Sequence, residues 1–255
     1  MSSVDEPNTP FASFTELVIV CCHATYIGDG PNGCGDEDQW LLQDFQKSNA
    51  ETGKPSESET FIAHIVAGSA MCEGHRNALL LVFSGGRTTR SERTEAESYA
   101  MAWINRGSLH YALEDLATDS FQNLLFSILK FHELTGRYPN HVTVITHAFK
   151  ERRFLELHAP AIRWPPQRIR VHGINPPFSL DELEDTQQGE HQRGFKLFSE
   201  DPYGAHSPLA DKRRERSWNV LDVARLTQDE AVQSLLRWTG GETRRDGFPG
   251  RLPWE

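Results

Sequence analysis

Apolar runs of strand length alternate along this chain with segments whose apolar residues recur every three to four positions. The run Leu17 to Ala24 (LVIVCCHA) is almost continuously apolar, the pattern of a strand covered on both faces. Ala78 to Phe83 (ALLLVF) and His141 to Ile145 (HVTVI) repeat it, and Arg168 to His172 (RIRVH), bounded by prolines, reads as a fourth core strand. After the first strand come a polar, glycine-rich loop, Tyr26 to Asp38, and a helical stretch over Trp40 to Gln46. Glu57 to Cys72 then sets Phe61, Ile62, Ile65, Val66, Ser69 and Ala70 on one helical face.

Thr94 to Asn105 predicts a second helix, with Glu95 and Glu97 in its first turn, where the helix dipole favours acids. A third, capped by Asp119 or Ser120, carries Leu124, Leu125, Ile128 and Leu129 and stops at Gly136. Glu151 to Leu157 continues as helix after the third strand. Strand and helix in this alternation predict an α/β fold, a Rossmann-like three-layer sandwich with a mostly parallel sheet and right-handed crossovers. Residues 1–178 make up that domain. Residues 179–255 are expected to form an irregular segment and a C-terminal helical extension packing on the same domain. The extension runs from Trp218 to Trp238 with Val220, Val223, Leu226 and Leu235 at helical spacing, and everything after Gly240 is expected on the surface.

The length, 255 residues with 38% hydrophobic and 24% charged, suits one α/β domain with additions. A net charge of −10 argues against nucleic acid and anionic membranes as partners. No run approaches the roughly 20 apolar residues that cross a bilayer. The start, MSSVDEPNTPFASF, lacks the basic and apolar regions of a secretory leader, so a cytoplasmic protein without membrane contact is expected. Cys21 and Cys22 are adjacent in a strand and point to opposite faces, and Cys34 and Cys72 complete no paired CxxC pattern. The thiols are therefore read as reduced, with no metal site. Nothing in the pattern fixes an oligomeric state.

In an open parallel sheet, ligands bind beyond the carboxyl ends of the strands. His23 follows the first strand, Ser84, Gly85, Gly86 and Arg87 the second, and Thr146 and His147 the third. Two glycines let a backbone approach a ligand and offer N–H groups to an anion, although a tight turn uses glycine as readily. His23 and His147 can exchange protons near neutrality. Glu95 could reach back over the glycine turn or merely complement its helix dipole. Asn123 could face the cleft, and of Arg152 and Arg153 one could do so while the other pairs with Glu156 on the surface. The turn is neither GxGxxG nor GxxxxGK[ST], and GxSxG is absent, so dinucleotide, P-loop and serine-hydrolase readings are unsupported.

Three blocks in order, LLLVFSGGRTTRSERTEAESY, EDLATDSFQN (Glu114 to Asn123) and VITHAFKERR (Val144 to Arg153), resemble the SanA/YdcF/ElyC-like family, a domain of unknown function. The likeness covers roughly Leu17 to Phe178 and departs where Lys150 stands in place of the family's histidine after the Phe. It implies a Rossmann-like fold with a pocket at the strand ends and, for some members, association with S-adenosylmethionine.

The leading expectation is thus a small-molecule-binding protein whose pocket uses His23, Ser84, Gly85, Gly86, Arg87, Asn123, Thr146 and Arg152. Its ligand would be an anionic or nucleoside-like metabolite, with S-adenosylmethionine as the named candidate. If it catalyses, Glu95 and His147 would be the acid and base. A hydrolase or transferase acting on phosphate-bearing substrates is the alternative, and a noncatalytic interaction protein using its C-terminal tail is another.

Overall fold

The structure, a computed structural model, describes residues 11–75, 78–103, 109–219 and 223–255. The expected leader-free start (residues 1–10), Asn105 at the end of the second helix and Val220 in the tail lie outside the described residues. The first apolar run forms β1 (Glu16–Cys21), with β2 (Leu79–Ser84) on one side and β4 (His141–Thr146) on the other. The edges are β3 (Tyr111–Glu114) and β5 (Ile169–Gly173). Strand order is β3-β2-β1-β4-β5 and every pairing is parallel. The chain has a Rossmann-like α/β sandwich, all parallel rather than mostly so. The sequence reading lacked β3, whose four residues alternate between half-buried and buried and give no apolar run.

Side chains of β1 alternate between two cores, as the pleat requires. Leu17, Ile19 and Cys21 pack with Leu80, Val82, Val142 and Val144 beneath α3 (Ser120–Thr135). Val18, Val20 and Cys22 pack with Leu81, Phe83 and Ile145 beneath α1 (Ser58–Glu73) and α2 (Glu95–Ala102), through Phe61, Ile65 and Tyr99. Trp40 to Gln46 forms no α-helix: its last three residues, Asp44–Gln46, make a short 3-10 turn, and another, Glu37–Gln39, precedes the stretch. The Trp40 indole N–H donates to the Cys34 carbonyl at 2.7 Å and its ring is buried, so burial of aromatics holds this loop and the helical spacing is incidental.

Beyond β4, Arg153–His158 winds as a π-helix and runs into α4 (Ala159–Ala161). The segment after Ser179 is ordered rather than irregular: α5 (Leu180–Glu190), a π-helical stretch His191–Phe195 and α6 (Lys196–Glu200) follow without a break. Ser179 and Glu182 close a capping box at its start, an S-x-x-E signal that sits in the sequence among charges. Next come α7 (Leu209–Glu215), α8 (Val223–Leu226) and α9 (Glu230–Leu236). Phe198, Tyr203, Leu209, Val232 and Leu235 join the α3-side core, and so do Phe248, Leu252 and Trp254. The stretch after Gly240 is therefore not a surface trail. The Trp254 indole N–H donates to the Ile162 carbonyl at 2.8 Å and Arg168 donates to the Trp254 carbonyl at 3.0 Å, which seats the last residues against the body.

Asp119 ties tail to sheet. Its carboxylate caps α3 by accepting from the Gln122 amide at 3.0 Å and accepts from Arg213 Nε of α7 at 2.7 Å. Burial raises this carboxyl, but the Arg213 charge and hydrogen bond and the Gln122 amide outweigh it and hold it below its ordinary value. Asp119→Ala removes cap and anchor together, and urea unfolding should show a loss of about 2 kcal/mol.

Candidate functional site

With this strand order the connections leave β1 and β4 in opposite directions, and the loops after these two strands part to leave a crevice. A cavity of about 1150 Å³ opens there. His23 after β1 and Thr146 and His147 at the end of β4 form its floor, and α5 and α7 contribute the far wall.

Three imidazoles meet at this floor. The His23 and His147 ring centroids are 4.5 Å apart, and His64, from α1, lies 5.6 Å from His23 and 5.0 Å from His147. His23 Nε2 is 3.2 Å from Thr146 Oγ1, and its Nδ1 is 3.2 Å from Lys150 Nζ. Its backbone is fixed as well: the amide donates to Tyr99 Oη at 3.1 Å and the carbonyl accepts from Gln46 Nε2 at 3.1 Å. His147 stacks on Phe149 at 4.8 Å. Glu57 Oε2 is 3.3 Å from His147 Nε2 but off the hydrogen-bond line, so neither ring nitrogen of this buried histidine has a hydrogen-bond partner. Burial, then the Lys150 charge, holds His23 and His147 well below the usual histidine range. His64 falls to about 3 through burial and the neighbouring His147. All three are neutral at pH 7. Burial lifts Glu57 and Glu95 above the usual carboxylate range, against the pull of Lys150 on the first and Arg216 on the second.

Of the residues expected from the sequence, His23, Thr146 and His147 share the floor, and Glu95 and Asn123 line the same crevice. The glycine turn does not serve as an anion cradle. The Gly85 and Gly86 amides are committed to the Glu114 and Ala117 carbonyls, at 3.0 and 2.7 Å. The glycines are there because a Cβ on Gly85 would lie 2.8 Å from the Cβ atoms of Cys22 and Glu95, and one on Gly86 would lie 2.8 Å from the Ala117 carbonyl oxygen. Ser84 is fully buried and turned to Glu114, outside the crevice. Arg87 pairs with Glu92 at 3.3 Å and lines a side pocket of about 360 Å³ that shares Thr88, Thr89, Arg90, Glu215 and Arg216 with the main cavity. Arg152 pairs with Glu156 on the surface at 2.8 Å, and Arg153 faces the crevice instead.

The sequence reading passed over Lys150, Glu57, His64 and Lys212. Lys150 stands one helical turn after His147, the spacing that returns a side chain to the same face, and was the available clue. His64 hides among apolar residues of α1, and Lys212 comes from a tail with no sequence-local link to the strands. Among the described residues, no group of three or more His, Cys, Asp or Glu could hold a metal ion, and all four cysteines are free and buried. Nor does any helix described reach the length and apolarity needed to cross a membrane.

Fold and site together define a Rossmann-like α/β protein with a polar crevice at its topological switch point. The chain belongs to the family of the uncharacterized protein YOR238W of Saccharomyces cerevisiae, to which it is 36% identical over 258 aligned positions covering 79% of this chain and 83% of the yeast protein. No family profile matches it, and no solved structure does.

Proposed function

We propose that the protein binds a small anionic metabolite in the switch-point crevice. One observation carries this reading. Three acids of the crevice already have cationic partners, Glu95 with Arg216 at 3.8 Å, Asp119 with Arg213 at 2.7 Å and Glu190 with Arg153 at 3.3 Å, while Glu57 stands beside the neutral His147 and within the pull of Lys150. Lys150 and Lys212 line the same space and, among the described residues, neither is in an ion pair. The lining as a whole has no cationic excess, since Lys54, Arg193, Glu182, Asp185 and Glu215 lie on it as well; the reading rests on the positions of Lys150 beside His23 and of Lys212 on the far wall, which an anion seated in the crevice would bridge. The neutral histidines add hydrogen-bonding groups without adding charge.

The resemblance of three segments to the SanA/YdcF/ElyC-like family brings S-adenosylmethionine and nucleoside phosphates into the set of ligands to try. We also infer a cytoplasmic protein acting on a diffusible ligand. The tail helices α5 and α7 fit this reading as walls of the pocket, which weighs against a tail free for other partners. Thermal-shift screening against nucleotides, sugar phosphates and S-adenosylmethionine tests it, since a ligand of the native state raises the melting midpoint. The exposed Lys212, changed to glutamate, should weaken the hit at least tenfold, about 1.4 kcal/mol, and leave the unliganded midpoint in place. A screen in which no compound raises the midpoint sinks the reading.

A further inference from the structure

Lys150 is placed for more than charge. Its Nζ lies 3.2 Å from His23 Nδ1. An ammonium offers only N–H donors, so His23 must receive it on an unprotonated Nδ1 and donate through Nε2 to Thr146 Oγ1. The ring is thus locked as a proton acceptor facing the lysine, with its backbone held by Tyr99 and Gln46. Burial, followed by the Arg153 charge, brings Lys150 down to about 8 against the opposing pull of Glu57, Cys21 and Glu190. Glu95, His23, His64 and His147 are the other titratable groups that feel its charge. Near neutrality on the order of a tenth of the population is free amine, where an ordinary surface lysine has well under a hundredth.

We propose that Lys150 forms a reversible imine with an aldehyde or ketone ligand whose phosphate or carboxylate is met by Lys212. This rests on the anion-binding reading and adds the carbonyl to it. The ammonium of Lys150 passes one proton to His23 Nδ1. The freed lone pair attacks the carbonyl carbon, a C–N bond forms, and the π pair moves to oxygen, which takes a second proton from the nitrogen. His23 returns its proton to that hydroxyl, the C–O bond breaks, and water leaves a protonated imine that keeps the third proton. Charge and atoms balance and no oxidant or reductant is consumed.

The full chain is incubated with dihydroxyacetone phosphate and sodium cyanoborohydride, and labelled lysines are mapped by peptide mass. Lys150 should be modified at least tenfold faster than the exposed Lys47, at a rate that rises through about pH 8. His23→Gln should slow Lys150 at least fivefold and leave Lys47 unchanged. Lys150→Met should lose the fast label, and since that variant could fail to fold, competition in the unaltered protein provides an independent arm. Glycerol 3-phosphate, which has the anion and no carbonyl, should suppress labelling at Lys150 alone. If glycerol 3-phosphate raises the melting midpoint while Lys150 labels no faster than Lys47, the imine is overturned and the anion site stands. If neither compound shifts the midpoint and Lys150 is not preferentially labelled, both fall.

Discussion

Glu114→Ala should lower the unfolding free energy by about 3 kcal/mol, because a single buried carboxyl occupies three donors. One of its oxygens accepts from the Leu116 and Ala117 amides at 2.8 and 3.0 Å, the other from Ser84 Oγ at 2.5 Å. Alanine leaves the part-buried Leu116 amide and the buried Ala117 amide without an acceptor, and leaves Ser84 Oγ only the Asn123 carbonyl at 3.5 Å. Glu114→Gln keeps the shape and the two amide bonds, and isolates the effect of charge. Burial raises this carboxyl to about 7 in spite of those hydrogen bonds, whereas in the unfolded chain it stays near its ordinary value of 4.5. The native state therefore holds the proton more tightly. The stability it contributes is complete below pH 4.5, is lost as pH rises through 7, and changes no further above that. Two and a half pH units at about 1.4 kcal/mol each amount to roughly 3 kcal/mol. Glutamine has nothing to lose over this range, so its stability relative to the unaltered protein should improve by that order between pH 4.5 and pH 8. Urea midpoints at the two pH values read it directly. A relative change under about 1 kcal/mol would mean that water reaches the carboxyl.

Gly86→Val is expected to cost about 2–3 kcal/mol, for a reason unconnected with any ligand. A Cβ at this position would come within 2.8 Å of the Ala117 oxygen, 3.1 Å of the Asp115 oxygen and 3.2 Å of the Leu116 carbonyl carbon, all of them backbone. The 115–117 turn cannot yield by rotating a side chain, and it is pinned from the other side by Glu114. Gly86→Val and Glu114→Gln should consequently be non-additive in urea unfolding. Additivity within about 0.3 kcal/mol would show that the two do not share one rigid turn.

These two residues also show where sequence reasoning stops. Leu17 to Ala24, Ala78 to Phe83 and His141 to Ile145 announce strands because burial on both faces needs unbroken apolar runs, and those runs fix the sheet and so the rim. From that rim alone His23, Thr146 and His147 follow, and Glu95 and Asn123 lie within reach. Ser84, Gly85 and Gly86 looked like ligand groups because glycine reads the same whether the near neighbour is a phosphate or a carbonyl of the same chain. The neighbour turned out to be Ala117, on an edge strand connection too short to show a pattern. Arg152 and Arg153 could not be told apart without the phase of the helix, and the helix there is π-wound, which shifts that phase. The roles of Glu57 and Lys212 depend on contacts between elements far apart in sequence.

The crevice is not cut into one body of the molecule. Its floor belongs to the sheet and its far wall to helices after residue 179, joined across the gap by Arg153 with Glu190 and by Asp119 with Arg213. Glu95 with Arg216 is a further tie across the same gap, and a guest spanning Lys150 and Lys212 would add one more rivet between the two plates. Whatever loosens the wall must weaken the grip on the guest, and by thermodynamic reciprocity the guest must clamp the wall by an equal measure.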